Sequence, residues 1–163
     1  MEFYPWVVVG HVILVILAFG AHGVSAFAMF RVKQETDRQR MIGVLDLSQV
    51  ALIGAGIALL IAVVLGIVAA LMGGHFARLW TWASIVIVVL VWIAMTPMAA
   101  NPMNRVRQAL GQPSRLDGKA PPPPPATDAE LAAAQAKLRP ELVAAIGIGA
   151  IVLLVWLMEL KPF

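Results

Sequence analysis

VALIGAGIALLIAVVLGIVAALM, residues 50–72, runs for 23 residues without one charged side chain. A helix that crosses the hydrocarbon core of a bilayer needs about 20 consecutive apolar residues. This stretch therefore predicts a spanning helix, with the Gly73-Gly74-His75 turn behind it. Working outward, three more apolar runs appear at residues 7–30, 79–100 and 142–158. The fourth holds 17 residues, at the lower limit for a span, and Trp156 and Lys161 extend it into the interface. Residues 26–28 (Ala-Phe-Ala) faintly resemble a signal-peptidase site. Glu2 is acidic, however, no basic segment precedes the run, and the run is too long for a signal core.

The sequence thus predicts an all-α fold: a four-helix transmembrane bundle in a single membrane domain, residues 1–163. Its helices are expected over about 5–30, 48–72, 79–100 and 140–160, with a proline-rich loop over 101–139. Composition agrees. The chain is 61% hydrophobic and 13% charged, against roughly 25% charged in soluble domains. It has no cysteine, which excludes disulfides, thiolate metal sites, iron–sulfur clusters and cysteine nucleophiles.

Charge gives the orientation. Of twelve basic residues, ten fall between spans 1 and 2 (Arg31, Lys33, Arg38, Arg40) or between spans 3 and 4 (Arg105, Arg107, Arg115, Lys119, Lys137, Arg139). Arg78 and Lys161 alone lie on the other side. Lysine and arginine concentrate in cytoplasmic loops, so both termini are expected outside (N-out/C-out) in a plasma membrane, most simply the bacterial inner membrane. Phe3, Tyr4, Trp6, Phe76, Trp80, Trp82, Trp156 and Phe163 would form the outer aromatic belt. The net charge of +3 then reflects topology, and no nucleic-acid partner is implied. The expected partners are the lipid bilayer, anionic lipid head groups at the basic loops, and a second copy or a larger membrane complex.

Local signals predict the boundaries. Asp46-Leu47-Ser48-Gln49 fits a capping box opening helix 2, and Asn101-Pro102 fits an N-cap followed by proline, opening a short basic helix closed by Gly111. Pro97 should bend span 3. Residues 121–125 are five prolines, a polyproline II rod of about 15 Å. The rod reads most simply as a spacer, and alternatively as a docking segment for a proline-reading partner. Thr127-x-x-Glu130 is a second capping box, and Pro140 opens helix 4.

Helix 2 repeats a small residue every four positions: Gly54, Ala58, Ala62, Gly66, Ala70. Such rows let helix backbones approach closely in lipid, here as an intramolecular seam or, alternatively, a homodimer face.

The polar chemistry inside the membrane is histidine. His11 and His22 are eleven residues apart, about 1100° around a helix and hence on one face. That face continues through Val15, Ala18, Ser25 and Met29 and should point inward, because a polar side chain facing lipid is costly. His11 lies near the outer boundary and His22 near the inner one. His75 shares the outer level with His11, as do Met72 and Met158. Three readings stay open: neutral histidines satisfied by hydrogen bonds; a b-type haem with His11, His22 or His75 as ligands; or copper passage through His11, His75, Met72 and Met158, whose imidazole and thioether donors suit copper(I). No span core holds a carboxylate and no catalytic motif occurs, so an enzyme is not expected.

Gly10-His11-Val12, Ala21-His22-Gly23-Val24-Ser25, the charged segment ending Leu45-Asp46-Leu47-Ser48, the Gly66-containing second helix and Trp80-Thr81-Trp82-Ala83-Ser84 resemble the predicted integral membrane proteins of domain-of-unknown-function family 2269. The resemblance covers about residues 5–112. That family has no established activity. Its layout is similar to copper-resistance D-type proteins and to the bacterial haem-pathway protoporphyrinogen oxidase, which place a histidine in the first helix. The resemblance implies a role for His11.

Overall fold

The computed structural model describes residues 2–163. Four helical stretches are long and apolar enough to cross a membrane: Tyr4–Gln34, Arg38–Met72, Leu79–Ala109 and Asp128–Leu160. Among the described residues there is no strand. The elements are α1 (Tyr4–Gln34), α2 (Arg38–Met72), a 3-10 turn (His75–Ala77), α3 (Leu79–Met95), a π-turn (Thr96–Ala100), α4 (Asn101–Ala109), α5 (Asp128–Ala136) and α6 (Pro140–Leu160).

The first two helices outrun their predicted bounds. α1 has 31 residues and α2 has 35, so α1 alone is about 46 Å long against a hydrocarbon core of about 30 Å. The basic segment between spans 1 and 2 is therefore helix rather than loop, and only residues 35–37 connect the two. Asp37 is the N-cap of α2 and accepts from the Arg40 N–H at 2.9 Å. Asp46 is not a cap. It lies two turns inside α2 and pairs with Arg107 at 3.0 Å. The tetrad misled because a capping box carries no sign of whether the helix has already begun, and Met41 and Leu45 upstream bury a face that continues it.

Asn101 is likewise not a cap. α3 passes through the π-turn into α4 without a break. Pro97 brings no N–H to the helical ladder, and the wider turn absorbs the defect, with the Asn101 N–H donating to Thr96 O. The helix stops as predicted at Gly111 (φ +71°). There the N–H groups of Gly111 and Gln112 donate to Gln108 O and Arg107 O, both at 2.9 Å, a Schellman closure. The Thr127/Glu130 capping box and the Pro140 start of α6 also stand as predicted.

α1 packs chiefly on α2, and α3 chiefly on α6. The two pairs are joined mainly at the basic end of the bundle. There Met29, Val32, Met41, Leu45, Val106, Leu110, Leu131, Leu138 and Val143 form one buried cluster. Gln135 on α5 closes that end over α1. Its amide donates to Val32 O at 2.7 Å and Glu35 O at 2.9 Å, two carbonyls that the end of α1 leaves unpaired.

Candidate functional site

His11 sits in the α1–α2 seam. Its Nδ1 is 2.7 Å from the carbonyl oxygen of Ala62. A carbonyl only accepts, so Nδ1 carries the proton and, in the neutral ring, Nε2 keeps a lone pair. Space for the ring comes from Gly66: a Cβ there would lie 2.9 Å from His11 Cε1. The small-residue row of α2 therefore has a specific occupant. The row does not hold over its full length, since Ala62 and Ala70 are buried while Gly54 is exposed and Ala55 is buried instead. Four-residue spacing drifts by about 40° per step around a helix, so the seam moves from one row to the next.

The inward face of α1 is as predicted: Ala18, Ser25 and Met29 are buried and His22 is half-buried. The Ser25 hydroxyl donates to Ser48 O at 3.0 Å, a second clasp onto α2. Among the described residues His22 has no hydrogen-bond partner, and Ser25 is taken by Ser48.

His75 opens the 3-10 turn after α2. Its Nε2 is 3.0 Å from the Tyr4 hydroxyl, its ring lies 5.3 Å from that of Trp80, and its carbonyl accepts from Thr81 Oγ1 at 2.8 Å. A Cβ on Gly73 would overlap the His75 ring. His11 and His75 thus hold separate partners, Ala62 on α2 and Tyr4 on α1, and the hydrogen bonding brings neither to the other. Met72 closes α2, and Met158 is 38% exposed on α6. Among the described residues no three His, Asp or Glu side chains gather closely enough to hold a metal ion. His75 Nε2 is engaged by Tyr4 and His11 Nδ1 by Ala62, so a bound haem would be held by His11 Nε2, the His11 nitrogen that makes no hydrogen bond among the described residues.

Two cavities lie at the ends of the bundle. One of about 380 Å³ at the aromatic end is lined by Gly73, Gly74, His75, Arg78, Trp80, Lys161 and Phe163. The other, about 210 Å³ at the basic end, is lined by residues of the π-turn region, Lys137, Arg139, Leu142 and Val143.

The basic end carries the ionic chemistry. Arg31–Glu35 (3.8 Å), Lys33–Glu141 (3.3 Å), Arg38–Asp128 (2.7 Å) and Arg107–Asp46 (3.0 Å) all lie there. Arg107 is 7% exposed, and its Nη2 is buried without a partner. In the loop after α4, hydrogen bonds from the Gln108 amide (2.6 Å) and the Ser114 N–H (2.7 Å) hold the Asp117 carboxyl below the usual carboxylate range. The sequence carried no signal for Gln135 beyond one amide in an alanine-rich helix. The Arg107–Asp46 pair was hidden because both residues had local explanations.

The chain matches no protein-family model, no curated protein and no solved structure. The likeness to family 2269 rests on the residues quoted for it.

Proposed function

We propose that this chain is a non-enzymatic assembly subunit of a plasma membrane, most simply the bacterial inner membrane, with both termini outside and the basic end in the cytoplasm. The observation that carries this reading is the division of labour in the bundle. Between the lipid tails, His11 and Ser25 of α1 are spent on clasping α2. All four ion pairs among the described residues, and the largest apolar cluster, build a folded platform at the basic end. Ten of twelve basic residues belong to that end. Arg40, Arg105, Arg115, Lys119, Lys137 and Arg139 make no ion pair among the described residues and are available to anionic head groups. Native mass spectrometry of the protein extracted in mild detergent from its own membrane tests the reading. A mass above that of one chain is expected; a lone monomer under several detergents contradicts it.

A second reading is favoured by the His11 tautomer. An imidazole whose Nδ1–H is fixed on a carbonyl presents Nε2 as a metal ligand, so His11 is the residue that would hold a haem b. Such a haem would supply one-electron chemistry. An optical spectrum after expression with ample haem decides this reading: a Soret band lost in His11→Ala supports it, and no band ends it.

A further inference from the structure

The proline rod spans no gap between α4 and α5. The Ala126 N–H donates to Ala109 O at 2.9 Å. The segment from 110 to 125 therefore begins and ends at the same place, and a tight turn would close so small a gap. A stiff rod of about 15 Å is not needed to connect α4 to α5.

The loop is anchored at the C-terminal end of the rod. Pro125 packs against Gly111, where a Cβ would lie 2.9 Å from Pro125 Cγ. Arg38 grips the same end, its guanidinium donating to Ala126 O at 2.8 Å and to Asp128 at 2.7 Å. On the return side the Asp117 carboxylate ties Gln108 to Ser114, and further turns close from Asp117 N to Ser114 O and from Ala120 N to Asp117 O. All five prolines are exposed. Each of the first four precedes another proline, which bars the α region and leaves polyproline II. The loop residues before the rod include two cations, Arg115 and Lys119, both exposed and without ion pairs among the described residues.

We propose that residues 119–125 form a preorganised polyproline II ligand, presented by this closed loop to a partner protein with an aromatic-lined groove and an acidic rim. Aromatic grooves read such helices because the ligand loses little conformational freedom on docking. Here the consecutive prolines have already removed most of that freedom, and the cations select an acidic rim over a basic one. The proposal rests on the assembly reading above and names the surface through which assembly occurs.

The test is photocross-linking in living cells, with p-benzoylphenylalanine at position 122 or 124 of the full-length chain. The expected result is a protein adduct whose cross-linked peptide maps to a groove carrying Trp or Tyr. The adduct should fall to background when the four prolines left at 121–125 beside the photoprobe are all serine, and weaken in Lys119→Ala. Should the four-serine variant fail to fold, Pro122→Ser/Pro124→Ser with the photoprobe at position 123 replaces it. The proposal is overturned by no protein adduct, by adducts to lipid or to a second copy of this chain alone, or by an adduct indifferent to the prolines. A native mass above one chain with a silent rod would sink this proposal and leave the assembly reading standing. A monomer would sink the assembly reading itself.

Discussion

The same two helices, α1 and α2, are held together by different chemistry along their length. Over most of the span the buried side chains of the seam are small: Ala18, Ser25, Ser48, Ala55, Ala62 and Ala70. At the basic end they become Met29, Val32, Met41 and Leu45. Lipid tails are as apolar as leucine, so a large side chain gains nothing by leaving lipid for a seam, and close backbone approach with a few hydrogen bonds does the work. Water drives large apolar side chains together. The change in size between Ser25 and Met29 on α1, and between Ser48 and Leu45 on α2, is what a passage from lipid to water predicts, and the basic residues follow on α1 from Arg31.

The sharpest way to break this comparison is to shorten a large side chain on either side of that boundary. Leu45→Ala, at 1% exposure, should cost about 2–5 kcal/mol of unfolding free energy in detergent or bicelles. Ile57→Ala, at 57% exposure in the spanning part of α2, should cost under about 0.5 kcal/mol. Equal costs would erase the distinction. Next in size is the clasp inside the membrane. Gly66→Ala pushes a methyl into the His11 ring and should cost about 1–2 kcal/mol, as expected for losing a good intramembrane hydrogen bond together with close packing. Combined with His11→Ala it should cost less than the sum of the two, and strict additivity would show that Gly66 serves something other than the histidine. Gln135→Ala should cost about 1 kcal/mol and speed amide exchange in α5, leaving the spanning segments unchanged.

The smallest effect is on the loop. Asp117 has a lowered carboxyl pKa, caused first by its hydrogen bond from Gln108. A depressed folded-state pKa contributes stability that is present above the unfolded value and is lost as pH falls through the folded one. The loop should thus stay ordered through ordinary acid and loosen only below the usual aspartate range. Carboxyl titration by NMR, with amide exchange over residues 111–120, reads this directly. An ordinary Asp117 titration would remove the carboxylate lock on the rod.

The spans were legible because lipid demands long uncharged runs, and the run at 50–72 states that demand without ambiguity. Helix ends were less so. Asp46 and Asn101 both sit in good cap patterns, yet the helices run through them, because tertiary partners continue the buried face beyond the bilayer. The histidine face was legible from spacing alone, and His11 does meet α2. Its partner was not, since a backbone carbonyl leaves no mark in the sequence. The closure of the proline loop was also hidden: a sequence shows a stiff rod but not that the ends of the loop holding it, Ala109 and Ala126, meet.

The central claim is that the two ends of the bundle face opposite compartments, with the platform inside. The chain has no cysteine, so single cysteines can report it without background. A membrane-impermeant maleimide applied to intact cells should label Phe163→Cys at the aromatic end and should reach Lys119→Cys beside the rod only after permeabilisation. Labelling of Lys119→Cys in intact cells would contradict the account.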